Sequence, residues 1–218
     1  MTFDGWPDDA FSFYDELSAD NSKAFWTANR HRYESNVRAP LEWACEALAA
    51  DFGEFHIFRP YTDARFSKNK RPYKEHQGAV ATDAGGIMRY LSLSAEGLLT
   101  GIGMHQMGRD QLARFYRAID DESTGTELVA LVHNVSEPAK VEGSELKTAP
   151  KGYKRDHPRI ELLRHKGLTV TTQHGRASWV STPDALRHIA TSWAAADQIT
   201  LWLSSHVGPS DEPFPWGR

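Results

Sequence analysis

Five cations stand in the ten residues Arg65-Phe-Ser-Lys-Asn-Lys-Arg-Pro-Tyr-Lys74, with no carboxylate among them. A second basic stretch, 151–166, carries six cations against Asp156 and Glu161. The chain as a whole has a net charge of −4, so these 26 residues contribute +9 and the remaining 192 contribute −13. A general nucleic-acid coat is basic overall. Positive charge confined to two short segments suits a compact anion better than a long phosphate backbone.

The chemistry available to the first segment is oxyanion binding. Lysines supply point charges, arginines supply planar forks of donors, and Tyr73 adds a hydroxyl. Arg59, Arg65, Lys68, Lys70, Arg71, Tyr73 and Lys74 are the candidate ligands there. Two like charges about 8 Å apart repel by roughly 0.5 kcal/mol in water and roughly 2 kcal/mol at an effective dielectric near 20. Left in solvent these cations are tolerable, and salt screens them further. Gathered in a cleft, they require carboxylates or a bound anion. In the second segment Arg155 and Arg159 flank His157-Pro158, where Asp156 is placed to cap a helix opening at His157. Backbone N–H groups at such a helix start attract anions. Asp63 and His157 are the candidates for proton transfer, His157 with Asp156 beside it as a possible acid–base partner. Binding is the favoured reading, and whether the chain also acts on its ligand stays open.

Other motifs lead elsewhere. Gly101-Ile-Gly103 begins a dinucleotide fingerprint, but Gln106 stands where the third glycine belongs and the context is a hairpin strand. Those glycines fit a close approach of backbones instead. None of the ten histidines forms a His-x-x-x-His pair on a helix face, so no metal is expected, and no cofactor motif is present. No nucleophile elbow and no phosphate-cradling P-loop occurs. The single cysteine, Cys45, lies on an apolar helical stripe and reads as a small buried hydrophobe. The acidic N-terminal residues do not resemble a secretory signal, and no apolar run reaches the roughly 20 residues of a membrane span. A cytoplasmic protein without membrane association is expected, its oligomeric state open.

The elements that must position these groups follow from periodicity. A short helix is predicted over about 9–17, a second after Ser22 as N-cap, and a third from Pro40 to Gly53 with Leu41, Ala44, Cys45 and Leu48 on one face. The period then changes, predicting strands at 54–61, 77–82, 86–94 and 98–104, the last two joined by a turn at Ala95-Glu96-Gly97. Helices are predicted at 109–120 and 124–135, the latter opened by Thr124 and Glu127, then a strand near 139–146, a helix at 157–165 and a strand at 167–173. A last helix begins at Pro183 after Thr182. Residues 198–204 fit helix and strand alike, and the proline-containing tail from 207 is irregular. With residues 1–10 also irregular, 11–206 form one α+β domain with a central, mainly antiparallel sheet flanked by helices. The basic segment 59–76 then joins two strands and is long for a connection, as functional loops often are.

The basic loop, Pro150-Lys-Gly-Tyr153 and Asp156-His-Pro158 leading into Leu162-Leu-Arg164, together with Asn21-Ser-Lys-Ala-Phe-Trp26, Asn29, Arg30, Tyr33 and Tyr61-Thr-Asp-Ala-Arg65, resemble the family catalogued as domain of unknown function 2461. The similarity runs in order from about residue 11 to 170. Asn69 stands where the family usually has Asp, and Arg71 where a small residue is common, which makes this loop more cationic. The resemblance implies an α+β fold and carries no activity. Two functional readings remain: a phosphorylated or otherwise anionic small molecule held by 65–74 and 151–166, or a non-catalytic nucleic-acid or acidic-protein binding module that uses the basic loop.

Overall fold

Ser22 accepts the Phe25 N–H at 3.1 Å and starts a helix whose last turn does not end where the apolar spacing first breaks. The structure, a computed structural model, describes residues 2–62 and 71–211. Helix α1 is Asp8–Ala19, α2 is Lys23–Arg32 and α3 is Ala39–Phe52, and a π-helical segment, Tyr33–Arg38, joins α2 to α3. The two helices expected around Pro40 are therefore one continuous rod. A proline inside a helix lacks its N–H and crowds the carbonyl four residues earlier. The wider π turn immediately before Pro40 makes room for that ring. Gly53, with φ +86°, ends the rod as expected.

Strand β1 is His56–Ile57, β2 His76–Thr82, β3 Met88–Ser94, β4 Gly97–Met104, β5 Ala139–Glu142 and β6 Leu168–Gly175. They form one six-stranded antiparallel sheet in the order β1-β2-β3-β4-β6-β5. The α+β fold is thus as expected, although β1 is much shorter than the predicted 54–61. Pro60 cannot donate to a ladder, and beyond it only an isolated bridge, Tyr61 to Tyr73, continues the pairing. The remaining helices are α4 Arg109–Asp120, α5 Glu122–His133, α6 Ile160–Leu163, α7 Ala185–Ala194 and α8 Asp197–His206. The ambiguous stretch 198–204 is helical. No helix among the described residues is long and apolar enough to cross a membrane.

The chain divides into two compact units, 1–81 with 90–100 and 173–191, and 82–89 with 101–172 and 192–218. In the first, Phe13, Tyr14, Leu17, Trp26, Tyr33 and Val37 form an aromatic-rich core. A buried polar link there is satisfied: Tyr33 donates to Gln77 Oε1 at 2.6 Å, and Gln77 donates to the Phe58 carbonyl. Cys45 is buried there, and burial pushes its thiol up to about 12, as a packing residue rather than a nucleophile requires. In the second unit, Phe115 and Ile119 of α4, Leu128 of α5 and Trp202 and Leu203 of α8 fill the core. The Trp202 indole N–H donates to the Thr124 carbonyl at 3.0 Å. Gly103 has φ +134°, and an added Cβ would lie 2.3 Å from the Leu168 carbonyl oxygen, so glycine serves strand contact here, not a dinucleotide.

Two predicted helix starts are corrected. The cap of α5 is Asp121, whose carboxylate accepts from Ser123 and Thr124 N–H at 3.0 Å each, while Thr124 turns its hydroxyl to the Ala118 carbonyl. The helix expected at 157–165 is only Ile160–Leu163, because Pro158 disfavours helical backbone at His157. Asp156 therefore caps nothing, and a single turn offers no helix N-terminus to an anion.

An arginine hub holds α1 to α2. Arg32 donates to both carboxylate oxygens of Asp9, at 2.7 and 3.0 Å, and to both of Glu16, at 2.8 and 3.0 Å, while Asn36 also donates to Asp9. These bonds hold both carboxyl groups below their ordinary range. A depressed folded-state pKa contributes stability above the unfolded value and loses it as pH falls through the folded one. Both carboxylates stay two-fifths or more exposed, so the contribution is about 1 kcal/mol. Arg32→Gln should lower the unfolding free energy measured with urea at pH 7 by that amount and show a smaller deficit at pH 3. An equal deficit at both pH values would refute the ionic origin.

Candidate anion-binding site

The basic hairpin has a built foot. Thr62 N–H donates to the Pro72 carbonyl at 2.9 Å, and Lys74 N–H donates to the Pro60 carbonyl at 2.8 Å. Each proline accepts where it cannot donate, so the ladder tolerates both. Asn21 adds a side-chain strand to this pair, donating to the Tyr73 carbonyl at 3.1 Å and accepting from Tyr73 N–H at 3.0 Å. Trp26 stacks on the Tyr73 ring at 4.3 Å with an interplanar angle of 8°, and Tyr61, partly exposed, leans on the same ring. The chain that leaves at Thr62 thus returns to a fixed place. Asp63, Arg65, Lys68 and Lys70 lie outside the described residues.

Electrostatics at the foot are unbalanced. The Lys74 ammonium lies 5.3 Å from the Phe58 ring centroid. Desolvation and then the charge of Arg59 draw its pKa below the ordinary lysine value. His76 is lowered in turn, by desolvation and by Lys74. Among the described residues no carboxylate lies within ion-pair distance of Arg59 or Lys74. Arg71, by contrast, pairs with Glu75 and donates to the Ser18 carbonyl, so its charge is met locally. Tyr73 is buried and gives its ring to packing.

The second basic segment belongs to the second unit, and there two of its six cations, Arg159 and Arg164, are spent on structure. Arg159 donates to the carbonyls of Ile119 and Asp120 at 2.6 and 2.9 Å and to the Glu122 carboxylate at 3.1 Å. It closes the C-terminus of α4, satisfying carbonyls that have no helical partner. Arg164 meets Glu145, Glu161 and the Leu146 carbonyl. His157 does find a carboxylate, but it is Asp120, 3.1 Å from Nε2, and not the adjacent Asp156. Its Nδ1 accepts the Arg159 N–H at 3.0 Å, which fixes Nδ1 as the unprotonated nitrogen. Both ring nitrogens are therefore engaged, and the Tyr153 ring stands edge-on at 6.2 Å. Arg155 is exposed and makes no ion pair among the described residues.

The structure thus brings Arg59 and Lys74 together with His76 and the Phe58 ring, which sequence reasoning did not single out. Nor did it foresee the Asn21 and Trp26 clamp as the loop's support, although both residues lay within the resembling N-terminal motif. Asp120 was missed because 37 residues separate it from His157. Among the described residues no three of His, Cys, Asp and Glu gather as a metal site would need.

Comparison with curated proteins finds no match. A family model described as "Conserved hypothetical protein (DUF2461)" matches residues 9–202, which take in Asn21, Trp26, the hairpin foot and the whole 151–166 segment. With nearly its full length matched, the chain belongs to the DUF2461 family of conserved hypothetical proteins.

Proposed function

We propose that this protein binds a phosphorylated or otherwise anionic small molecule through its basic hairpin, with Arg59 and Lys74 as the first ligands. The observation that carries the reading is a desolvated Lys74 beside Arg59 with no carboxylate in ion-pair range among the described residues. Such a pair stores repulsion that an oxyanion relieves, whereas Arg71, Arg159 and Arg164 already have partners. Arg65, Lys68 and Lys70 add three cations to the same stretch of sequence. The cytosol, where a buried Cys45 stays reduced and phosphorylated metabolites are plentiful, is the compartment this reading requires. His157, with both nitrogens held, favours binding over proton transfer.

Thermal shift and calorimetry with pyrophosphate test it. Pyrophosphate should raise the melting temperature, since a ligand that binds only the folded state stabilises it by mass action. Arg59→Gln/Lys74→Gln should weaken binding at least about tenfold, because charge-assisted bonds contribute about 1.5–3 kcal/mol each. Binding should also take up a proton at alkaline pH, as the anion raises the depressed Lys74 pKa. No stabilisation by pyrophosphate in the unaltered protein would overturn the proposal. Tight binding to single-stranded DNA that falls steeply with salt would favour the nucleic-acid reading instead.

A further inference from the structure

We infer that the second unit carries a separate pocket for a small monocarboxylate with a short apolar body. A concavity of about 410 Å³ is lined by His105, Gln106, Met107, Leu112, Ser144 and Lys166. That volume lies in the range of small-molecule sites. The site belongs entirely to the second unit and does not depend on the hairpin.

Its walls are fixed by backbone bonds. Met107 N–H donates to the Lys166 carbonyl at 3.1 Å, and Lys166 N–H donates to the Ser144 carbonyl at 2.7 Å. Three segments distant in sequence are stitched at the residues that line the space. Gly167 makes the approach possible, since a Cβ there would lie 2.1 Å from the His105 carbonyl oxygen. Such preformed walls lower the ordering cost of binding.

The lining chemistry selects the ligand. Among the described residues that line it, Lys166 is the one Lys or Arg, and none is a carboxylate. Two of the acidic groups near these residues along the chain are already occupied: Glu145 by Arg164 and His165, and Asp110 by Arg114, Ser210 and the Asp211 N–H. Lys166 itself has no ion-pair partner among the described residues. Ser144, Gln106 and His105 add hydrogen-bonding groups to one charge, while Met107 and Leu112 supply an apolar wall. One charge with neutral donors matches a carboxylate, and the apolar wall matches a short chain attached to it.

The test is a titration of the ¹⁵N-labelled full chain with acetate, butyrate and hexanoate. Resonances of Met107, Leu112, Ser144 and Lys166 should shift, and affinity should rise about fourfold per methylene until the pocket is filled. Lys166→Gln should weaken hexanoate binding about tenfold and leave hexan-1-ol binding unchanged, while Lys74→Gln leaves both unchanged. Failure of these resonances to respond in the unaltered protein would overturn the inference, whatever the variants do. So would equal affinity for all three acids, or hexanoate bound equally well by a folded Lys166→Gln protein.

Discussion

Gly125→Ala is expected to destabilise the protein by about 3 kcal/mol, although Ala is ordinarily the better helix residue by about 1 kcal/mol. The sign reverses because of what an added methyl would meet. Its carbon would lie 2.1 Å from the Ile119 carbonyl oxygen and 2.7 Å from Arg159 Nε. The first of these is backbone at the end of α4 and cannot swing aside. Helices α4 and α5 are separated by one residue, Asp121, in extended conformation, so they cannot part without breaking the α5 cap. Overpacking of this kind costs about 1–3 kcal/mol. Displacing Arg159 would also unpair the part-buried Ile119 carbonyl, which adds about 1 kcal/mol, while water can replace it at the exposed Asp120 carbonyl. Gly152 is the control, since a methyl there would meet nothing within 4 Å and only the positive φ opposes it. Urea unfolding of the two variants decides the matter: a Gly125→Ala midpoint at or above that of the unaltered protein would show that α4 and α5 do not approach as described.

The elements set by local rules were the legible ones. Pro40, the Leu41, Ala44, Cys45, Leu48 spacing and Gly53 locate α3 because cap, period and stop agree. Ser22 locates the start of α2 for the same reason, and the Ala95-Glu96 turn with Gly97 locates the β3–β4 hairpin. What was not legible depends on residues far apart or on two rules in conflict. The π segment before Pro40 settles a conflict between apolar spacing that continues and a proline that interrupts. In the 157–165 stretch, Ile160, Leu162 and Leu163 promised a helix that Pro158 cut to one turn. Asp121 outcompeted Thr124 as a cap because a carboxylate accepts two N–H groups at once. The candidate site was legible as composition, a run of cations, but not as geometry. Neither Glu75 beside Arg71 nor Ile119 beneath Arg159 can be read from charge alone. That Arg59 and Lys74 have no carboxylate in ion-pair range among the described residues emerges only after those partners are counted.

Trp26→Ala should have the largest effect of all, about 3–5 kcal/mol, with a loss of anion affinity beyond what stability explains. This α2 indole is buried against α1, the π-helical segment and the hairpin foot, with ring centroids at 6.0 Å to Phe13, 4.9 Å to Tyr33 and 4.3 Å to Tyr73. Removing it opens a cavity in the first unit's core and takes away the face on which Tyr73 lies. Tyr73 is also the residue that Asn21 grips from both backbone sides, so the two clamps can be separated experimentally. Asn21→Ala removes two hydrogen bonds at a part-buried position and should cost about 1–2 kcal/mol without a core cavity. Hydrogen exchange reads them independently of global stability. The Tyr73 amide, bonded to Asn21, should lose protection in both variants. The Lys74 amide, bonded to the Pro60 carbonyl, should stay protected in Asn21→Ala and lose protection in Trp26→Ala. If the foot positions Arg59 and Lys74, pyrophosphate affinity should follow Lys74 protection, falling in the tryptophan variant and persisting in the asparagine variant. Affinity that instead follows overall stability would mean that the aromatic clamp holds the core together and has no part in presenting the cations.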